Sequence, residues 1–451
     1  MVQRDYDELI NKIEDLISSQ QIINLYPLLE ELYPTDIAYI ASHVSTEYRL
    51  ELVSEIRKFK NLDEIICEMD EDIIVEMIRG LEESRIEDLF SKLDPDDTAK
   101  VISFLPDDLS KWIFTHMKAE DTIEAEALLL YKEEQAGRIM STDYFSMTEE
   151  ATVFQAFNAL KNSHDAEMVY YIYIIDKHHH LVGVASLREL LTKPNYVKMK
   201  EIMNTDLISV PGEMDQEDVA QIVERYNLVA VPVVNKKNQL VGIITVDDII
   251  DVIRHEATED IMKLAGTNEK EFYLQSPYKG FLRRMPWLLV SFFGGLLTIQ
   301  SNILFSGKIT NIELMAFITI IAGMGGNIGS QSSTIVVRGL ATGKILVTEL
   351  WSVLYREVAI GILLGIFFGI ILGLVATFQF YDVSLIGFSV GIGMLTSMFI
   401  AAFIGSLMPI VFQRLNIDPA VATGPFVSTT IDNLGLLSYF ISTMTLIHLL
   451  T

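Results

Sequence analysis

"GPFVSTTIDNLGLLSYF", residues 424–440, sets one carboxylate in the middle of an apolar run; from Pro419 to Thr451, Asp432 is the only formally charged residue. A charge at the centre of a bilayer costs at least ~2.5 kcal/mol, so this helix carries Asp432 for a reason. Gly424 and Pro425 loosen the start of the segment and free backbone carbonyls. Such groups are tolerated at membrane depth where they meet protein or line a wet cavity. At helical spacing Ser428 and Thr429 share a face with Asp432, and Thr430 and Asn433 stand beside it. Gly424, Ser428, Thr429, Asp432 and Asn433 therefore make an all-oxygen candidate metal site in a pore. Oxygen donors suit hard cations such as Mg²⁺ and Ca²⁺ rather than zinc or copper, and few carboxylates suit Mg²⁺, which gives up its water reluctantly. The alternatives for a lone intramembrane Asp are a proton relay and a structural hydrogen bond.

Working outward, further uncharged runs cover 285–307, 314–337, 358–381 and 383–413, each longer than the ~20 residues that cross a hydrocarbon core. With 419–451 they predict five transmembrane helices within a domain at 278–451. The second run leads into "AGMGGNIGSQSSTIVVRGLATG" (322–343), where amide and hydroxyl groups crowd beside glycines. Asn327 and Gln331 there are the candidate pore-lining residues, because such groups need partners inside a bilayer. Lys279, Arg283, Arg284, Arg338, Lys344, Arg356 and Arg414 fall on one side of the predicted spans and Lys308 on the other. The positive-inside rule then keeps the N-terminal half in the cytoplasm and sends the C-terminus out. The charged, helical N-terminus has no apolar stretch of the signal-peptide kind. Five helices leave little room for a lined pathway, and a pore shared by a symmetric homodimer supplies it.

The other half is different in kind. Residues 279–451 hold eight basic and six acidic groups, which leaves 26 basic and 55 acidic to residues 1–278, a net charge of −29. That charge argues against nucleic acid or an anionic lipid surface as a partner and favours cations. Cys67 is the only cysteine, so the chain has neither an internal disulfide nor a Cys-based zinc site. Over 1–130 three stretches align without gaps: "LYPTDIAYIASHV" (32–44), "MDEDIIVEMIRGL" (69–81) and "LDPDDTAKVISFL" (93–105). Short amphipathic helices repeated in this way predict an acidic α-solenoid.

Residues 131–202 and 203–252 form a second pair of repeats. "VYYIYIIDKHHHLVGVASLRELL" (169–191) aligns with "LVAVPVVNKKNQLVGIITVDDIIDVI" (228–253) as strand, turn, strand, helix. With "IMSTDYFSMTEEATV", "IMNTDLISVPGEMDQEDV" and "GIITVDDI", the pair resembles tandem CBS (α+β) domains. That likeness implies an adenine nucleotide site such as ATP occupies, with Asp248 in the place that holds the ribose. The first copy has Glu189 and Ser186 at the matching positions. His178, His179 and His180 fall in a predicted hairpin turn, where consecutive residues point to alternate faces and solvent is the expected surrounding. A connecting helix follows over 253–277. Its apolar positions include Ile253, Ile261 and Leu264, and Glu256, Glu259 and Asp260 are its acids.

The multidomain order (acidic solenoid, two CBS domains, connecting helix, five spans), with "GGNIGSQSST" and "ATGPFVSTTIDNLG", is similar to the MgtE family of magnesium channels across essentially the whole chain. The resemblance implies a homodimeric Mg²⁺-selective channel in the plasma membrane, with Asp432 of both subunits holding a hydrated Mg²⁺. It also implies that cytosolic Mg²⁺ binds between the solenoid, the CBS pair and a connecting "plug" helix and closes the pore. The candidate regulatory carboxylates are Asp94, Asp96 and Asp97 on the solenoid, Asp247, Asp248 and Asp251 at the second CBS exit, Glu256, Glu259 and Asp260 on the plug, and Asp418. Each also reads as a helix cap or a solvated face, Asp418 above all because a proline follows it. Competing functions are a proton- or sodium-coupled carrier or exporter using Asp432, and a nucleotide-sensing regulatory membrane protein. Neither a phosphate-binding glycine loop nor a nucleophile–base set suggests an enzyme.

Overall fold

A computed structural model describes residues 6–162, 170–267, 277–306, 312–345, 350–380, 385–415, 417–420 and 424–450. The chain divides into two compact units, Met1–Val252 and Ile253–Thr451.

The first unit begins with ten short helices, from α1 (Tyr6–Ser18) to α10 (Ala119–Leu129). The three echoing stretches give α3 (Pro34–His43), α6 (Glu71–Arg79) and α8 (Pro95–Phe104), each starting at the third residue of its repeat. The residue before each start, Tyr33, Asp70 or Asp94, is extended, and proline at the first position of α3 and α8 presets the helical φ. Ile37, Ile40, Ile73, Ile74, Met77, Val101 and Ile102 bury one face of these helices in a shared core. No single short helix could build that core alone. Arginines tie successive turns together: Arg57 donates to the carbonyls of Glu76 and Met77, and Arg85 to those of Arg57 and Phe59. Carbonyls left over at helix C-termini are satisfied in this way.

Two matching sheets follow. In the first, β1 (Ser146–Thr148) runs parallel to β2 (Tyr171–Ile175), which pairs antiparallel with β3 (Leu181–Ser186). In the second, β4 (Val210–Pro211), β5 (Ala230–Val234) and β6 (Leu240–Thr245) repeat the order. Helices α11 (Val153–Asn162), α12 (Leu187–Thr192) and α13 (Met199–Ile202) accompany the first sheet, and α14 (Gln216–Tyr226) the second. His179 and Asn238 occupy the same left-handed position in the two hairpin turns. The turns hold each other: Leu181 N–H donates to Asn238 O and Leu240 N–H to His179 O, both at 3.1 Å. His178 and His179 are exposed, and His180 pairs with Asp176 at 2.9 Å. The histidine run is thus a solvated turn. Ala99 of α8 is buried among the core residues of the second repeat, with Ile249 and Val252.

Helix α15 (Val246–Leu264) starts directly after β6 and leads into the second unit. Gly266 stops it with φ 73°; Gly266 N–H donates to Lys263 O and Thr267 N–H to Met262 O, a Schellman closure. Of the predicted plug of 253–277, residues 253–264 are the second half of a helix that begins seven residues earlier, and 268–276 lie outside the described residues. The five uncharged runs overlap α16 (Pro277–Ser306), α17 (Ile318–Ala341), α18 (Leu350–Gln379), α19 (Ile386–Arg414) and α20 (Pro425–Leu450). Among the described residues three segments, Glu313–Ala341, Leu350–Gln379 and Ile386–Arg414, are long and apolar enough to cross a membrane. Helix α18 starts eight residues before the run that predicts it. Glu357, which bounds that run, is 3 % exposed and accepts from the Arg356 guanidinium at 3.2 Å. Helices α18 and α19 lie backbone to backbone: a Cβ at Gly369 would sit 2.6 Å from Gly391 O, and one at Gly373 2.6 Å from Gly387 O.

Candidate functional site

Helix α20 presents Asp432 to α17. One carboxylate oxygen of Asp432 lies 3.6 Å from where a Cβ on Gly326 would stand, so the small residue admits it. Beyond Gly326 runs a polar stripe at helical spacing: Gly323, Asn327, Ser330, Gln331 and Thr334 are all exposed. The opposite face of α17, with Gly325, Ile328, Gly329, Ser332 and Ser333, is buried against the bundle. Asp432, Asn327 and Gln331 are thus brought to one open side of the unit. In hydrocarbon such a stripe would leave amides and hydroxyls without partners, so it needs water, ions or more protein against it.

The other candidate pore residues are engaged along α20 itself. Ser428 donates its hydroxyl to Gly424 O at 2.9 Å, and Thr430 to Phe426 O at 2.9 Å. Thr429 O accepts from the Asn433 amide at 2.8 Å. That same amide donates to Gly294 O of α16 at 3.2 Å, and Thr298 donates its hydroxyl to Asn433 Oδ1 at 3.1 Å. Asn433 therefore faces α16 while Asp432 faces α17.

Of the predicted plug and entrance carboxylates, Glu259, Asp260 and Asp418 converge within the second unit, around cations that the sequence reading did not pair with them. Lys263 Nζ lies 2.7 Å from Glu259 and 2.6 Å from Asp418. Asp418 also accepts from Ala420 N–H at 2.8 Å, so its capping role is real alongside the ion pair. Burial pushes the Asp260 carboxyl above its usual range and Asp418 adds to this, while Arg338 at 3.7 Å pulls it back. Burial draws the Lys263 ammonium down, but hydrogen bonds to Asp418 and Glu259 outweigh it, and the group stays protonated to higher pH than an ordinary lysine. The end of α15 rests on the start of α20: a Cβ at Gly424 would stand 3.2 Å from Lys263 O and 3.4 Å from Leu264 O. The i, i+4 spacing of Glu259 and Lys263 is the one signal of this cluster in the sequence.

Within the first unit the packing of Ala99 sets the start of α8 near the start of α15. Asp248 feels Asp247 and, across this junction, Asp97. Burial is the larger cause that lifts the Asp248 carboxyl to about 6, against a 2.8 Å hydrogen bond from Thr245 that lowers it. Burial and Asp97 also raise Asp94, whose side chain makes no capping bond. In the first repeat the matching Glu189 is spent in a capping box with Ser186. Asp251 and Glu256 lie along α15 between the two clusters.

Family comparisons match the whole course of the chain. The family model described as a divalent cation transporter, MgtE, matches residues 318–442; the MgtE intracellular N domain matches 32–134; the CBS domain matches 136–195 and 199–255. The magnesium transporter MgtE of Bacillus subtilis is 31% identical over 99% of this chain and 100% of its own length. Its namesake from Thermus thermophilus is 30% identical over 96% and 97%. A crystal structure of the soluble part of a magnesium transporter is similar at 31% identity and a TM-score of 0.48, covering 56% of this chain and 100% of that one. The cytosolic domain of the Mg²⁺ channel MgtE in complex with ATP is similar at 28% identity and a TM-score of 0.49, covering 54% and 99%.

Proposed function

This chain belongs to the MgtE family of magnesium transporters, and from that premise we propose that it is a homodimeric, Mg²⁺-selective channel for uptake across the plasma membrane. The observation that carries this is the open polar stripe of α17 with Asp432 at its edge. Two such stripes, one from each copy, enclose a pathway in which paired Asp432 carboxylates match a divalent charge. Asn327 and Gln331 line it, with Gly424, Ser428 and Thr429 towards its entrance. Five helices span the bilayer, the N-terminal unit is cytoplasmic and the C-terminus is outside, in keeping with the loop Lys/Arg bias.

The gate is a feedback device. Its donors are carboxylate oxygens, the set a hard divalent cation takes: Asp94, Asp96, Asp97, Asp247, Asp248 and Asp251 in the first unit, and Glu256, Glu259, Asp260 and Asp418 in the second. Asp94 and Asp248 are raised above the usual range by burial and by neighbouring acids, which fits a site that lacks a counter-charge, whereas at Asp260 Arg338 and Lys263 supply part of one. Bound there, Mg²⁺ supplies positive charge that lets these groups ionise together. The end of α15 against Gly424 is the closed seating, and Mg²⁺ favours it through its preference for the state in which the carboxylates are gathered. An adenine nucleotide at the second CBS repeat, with Asp248 as its ribose partner, is a further regulatory ligand, in keeping with the ATP complex of the relative.

The test is Mg²⁺ influx into proteoliposomes holding the full chain. Wild type conducts without a proton or sodium gradient, and Asp432→Ala abolishes the flux. Flux that requires either gradient would overturn the channel in favour of a coupled carrier.

A further inference from the structure

The packing of α16 on α20 runs along a narrow line of small residues. Gly294 is buried and Ser291 and Thr298 are half-buried, while Phe292, Phe293, Leu296 and Leu297 between them are exposed. A Cβ on Gly294 would run into the Thr429 methyl, so glycine there makes room for the Thr429 side chain. Directly above this contact lies its polar content. Asn433 Nδ2 donates to Gly294 O (3.2 Å) and Thr429 O (2.8 Å), and the Thr298 hydroxyl donates to Asn433 Oδ1 (3.1 Å) while lying 3.2 Å from Gly294 O. Both donors of the Asn433 amide and one acceptor site are thereby occupied by protein.

Neighbouring residues on an α-helix point about 100° apart. Pinning Asn433 onto α16 consequently fixes the direction of Asp432, one residue earlier, towards Gly326 and the α17 stripe. We propose that Thr298 and Asn433 are a positioning pair that sets the aim of the Asp432 carboxylate, and through it the choice of ion, with Asn433 acting through Asp432 and not as a ligand. The inference rests on the pore reading above. Unpinned, α20 is held by its packing on α17 and α19 without this polar anchor, and the distance between the two Asp432 carboxylates of a dimer is held less tightly. A hydrated Mg²⁺ and a more readily dehydrated Ca²⁺ differ in their tolerance of such slack, because Ca²⁺ accepts irregular, variable coordination and Mg²⁺ does not. Close packing alone would need neither the Thr298 hydroxyl nor the Asn433 amide.

The test compares full-length Thr298→Val and Thr298→Ala with Thr298→Ser, and with Asp432→Ala, reading Mg²⁺ and Ca²⁺ influx separately in proteoliposomes. Both variants without the hydroxyl are expected to lose Mg²⁺-over-Ca²⁺ discrimination by about five- to tenfold, the worth of one hydrogen bond. Serine, which keeps the donor, restores it. Asn433→Ala combined with Thr298→Val loses no more than the worse single variant, as expected of two residues acting as one unit. Wild-type discrimination in both hydroxyl-free variants, with Asp432→Ala inactive, overturns the positioning role and leaves the pore standing. Wild-type Mg²⁺ flux in Asp432→Ala removes the pore assignment and this inference with it.

Discussion

Asp248 is a single side chain whose surroundings oppose its ionisation. Burial, then Asp247 and Asp97, hold its carboxyl at about 6, above its ordinary 3.8. The folded state therefore takes up the proton more readily than the unfolded chain. The resulting stabilisation is complete below the ordinary value and is lost as pH rises through about 6. In chelator-containing buffer, thermal unfolding of the full chain in detergent should show the soluble domains weakening between about pH 4 and 6, by ~1–3 kcal/mol. Asp248→Asn should flatten that slope and leave the variant more stable than wild type at pH 7. An identical slope in both proteins would show that Asp248 is not the group responsible. Asp94, Asp96, Asp97, Asp247 and Asp248 could be named from sequence because they stand at helix starts beside apolar positions. The cationic partner of Asp418 could not, and nor could the Thr298–Asn433 hydrogen bond: Lys263 meets Asp418 across 155 residues, and Thr298 meets Asn433 across 135, and such pairings exist only once helices have packed.

At the scale of elements, the spacing of small residues decides how helices meet. Gly361, Gly365, Gly369 and Gly373 recur every fourth residue on one face of α18, and that face lies on α19 at Ala402, Leu395, Gly391 and Gly387. The opposite face, with Leu363, Phe367, Ile370 and Leu374, is exposed and apolar, as a surface against lipid should be. Gly369→Leu should lower the unfolding temperature of the protein in detergent by the equivalent of ~2 kcal/mol or more, since its side chain has only the Gly391 carbonyl to displace. Ile370→Ala, facing outward, should stay within ~0.5 kcal/mol; equal losses in the two would sink the packing argument. The presence of long helices was legible because uncharged runs of spanning length have few other uses. Their ends were less so. Charge counting halts at Glu357, whereas the helix continues through the Arg356–Glu357 pair. In the solenoid the three aligned repeats marked where α3, α6 and α8 fall, each helix starting at the third residue of its repeat.

The whole molecule joins two compositions, one of net charge −29 and one nearly neutral and apolar, and this contrast made the domain order readable before any residue was placed. The proposed gating by cytosolic Mg²⁺ belongs to that whole. Limited proteolysis across a Mg²⁺ titration should protect the 253–264 part of α15 at high Mg²⁺ only. Cleavage at the same rate throughout would remove the feedback proposal. The Lys263 pairing with Glu259 and Asp418 adds a consequence for the shape of such a titration. A lysine carried on the same helix is a tethered competitor, present at a fixed effective concentration however dilute the protein or the ion. A divalent cation drawn to those two carboxylates enters by exchange with an ammonium. The local charge then changes by one unit instead of two, and the set-point of the proposed gate is written into the chain as well as into the cytosol.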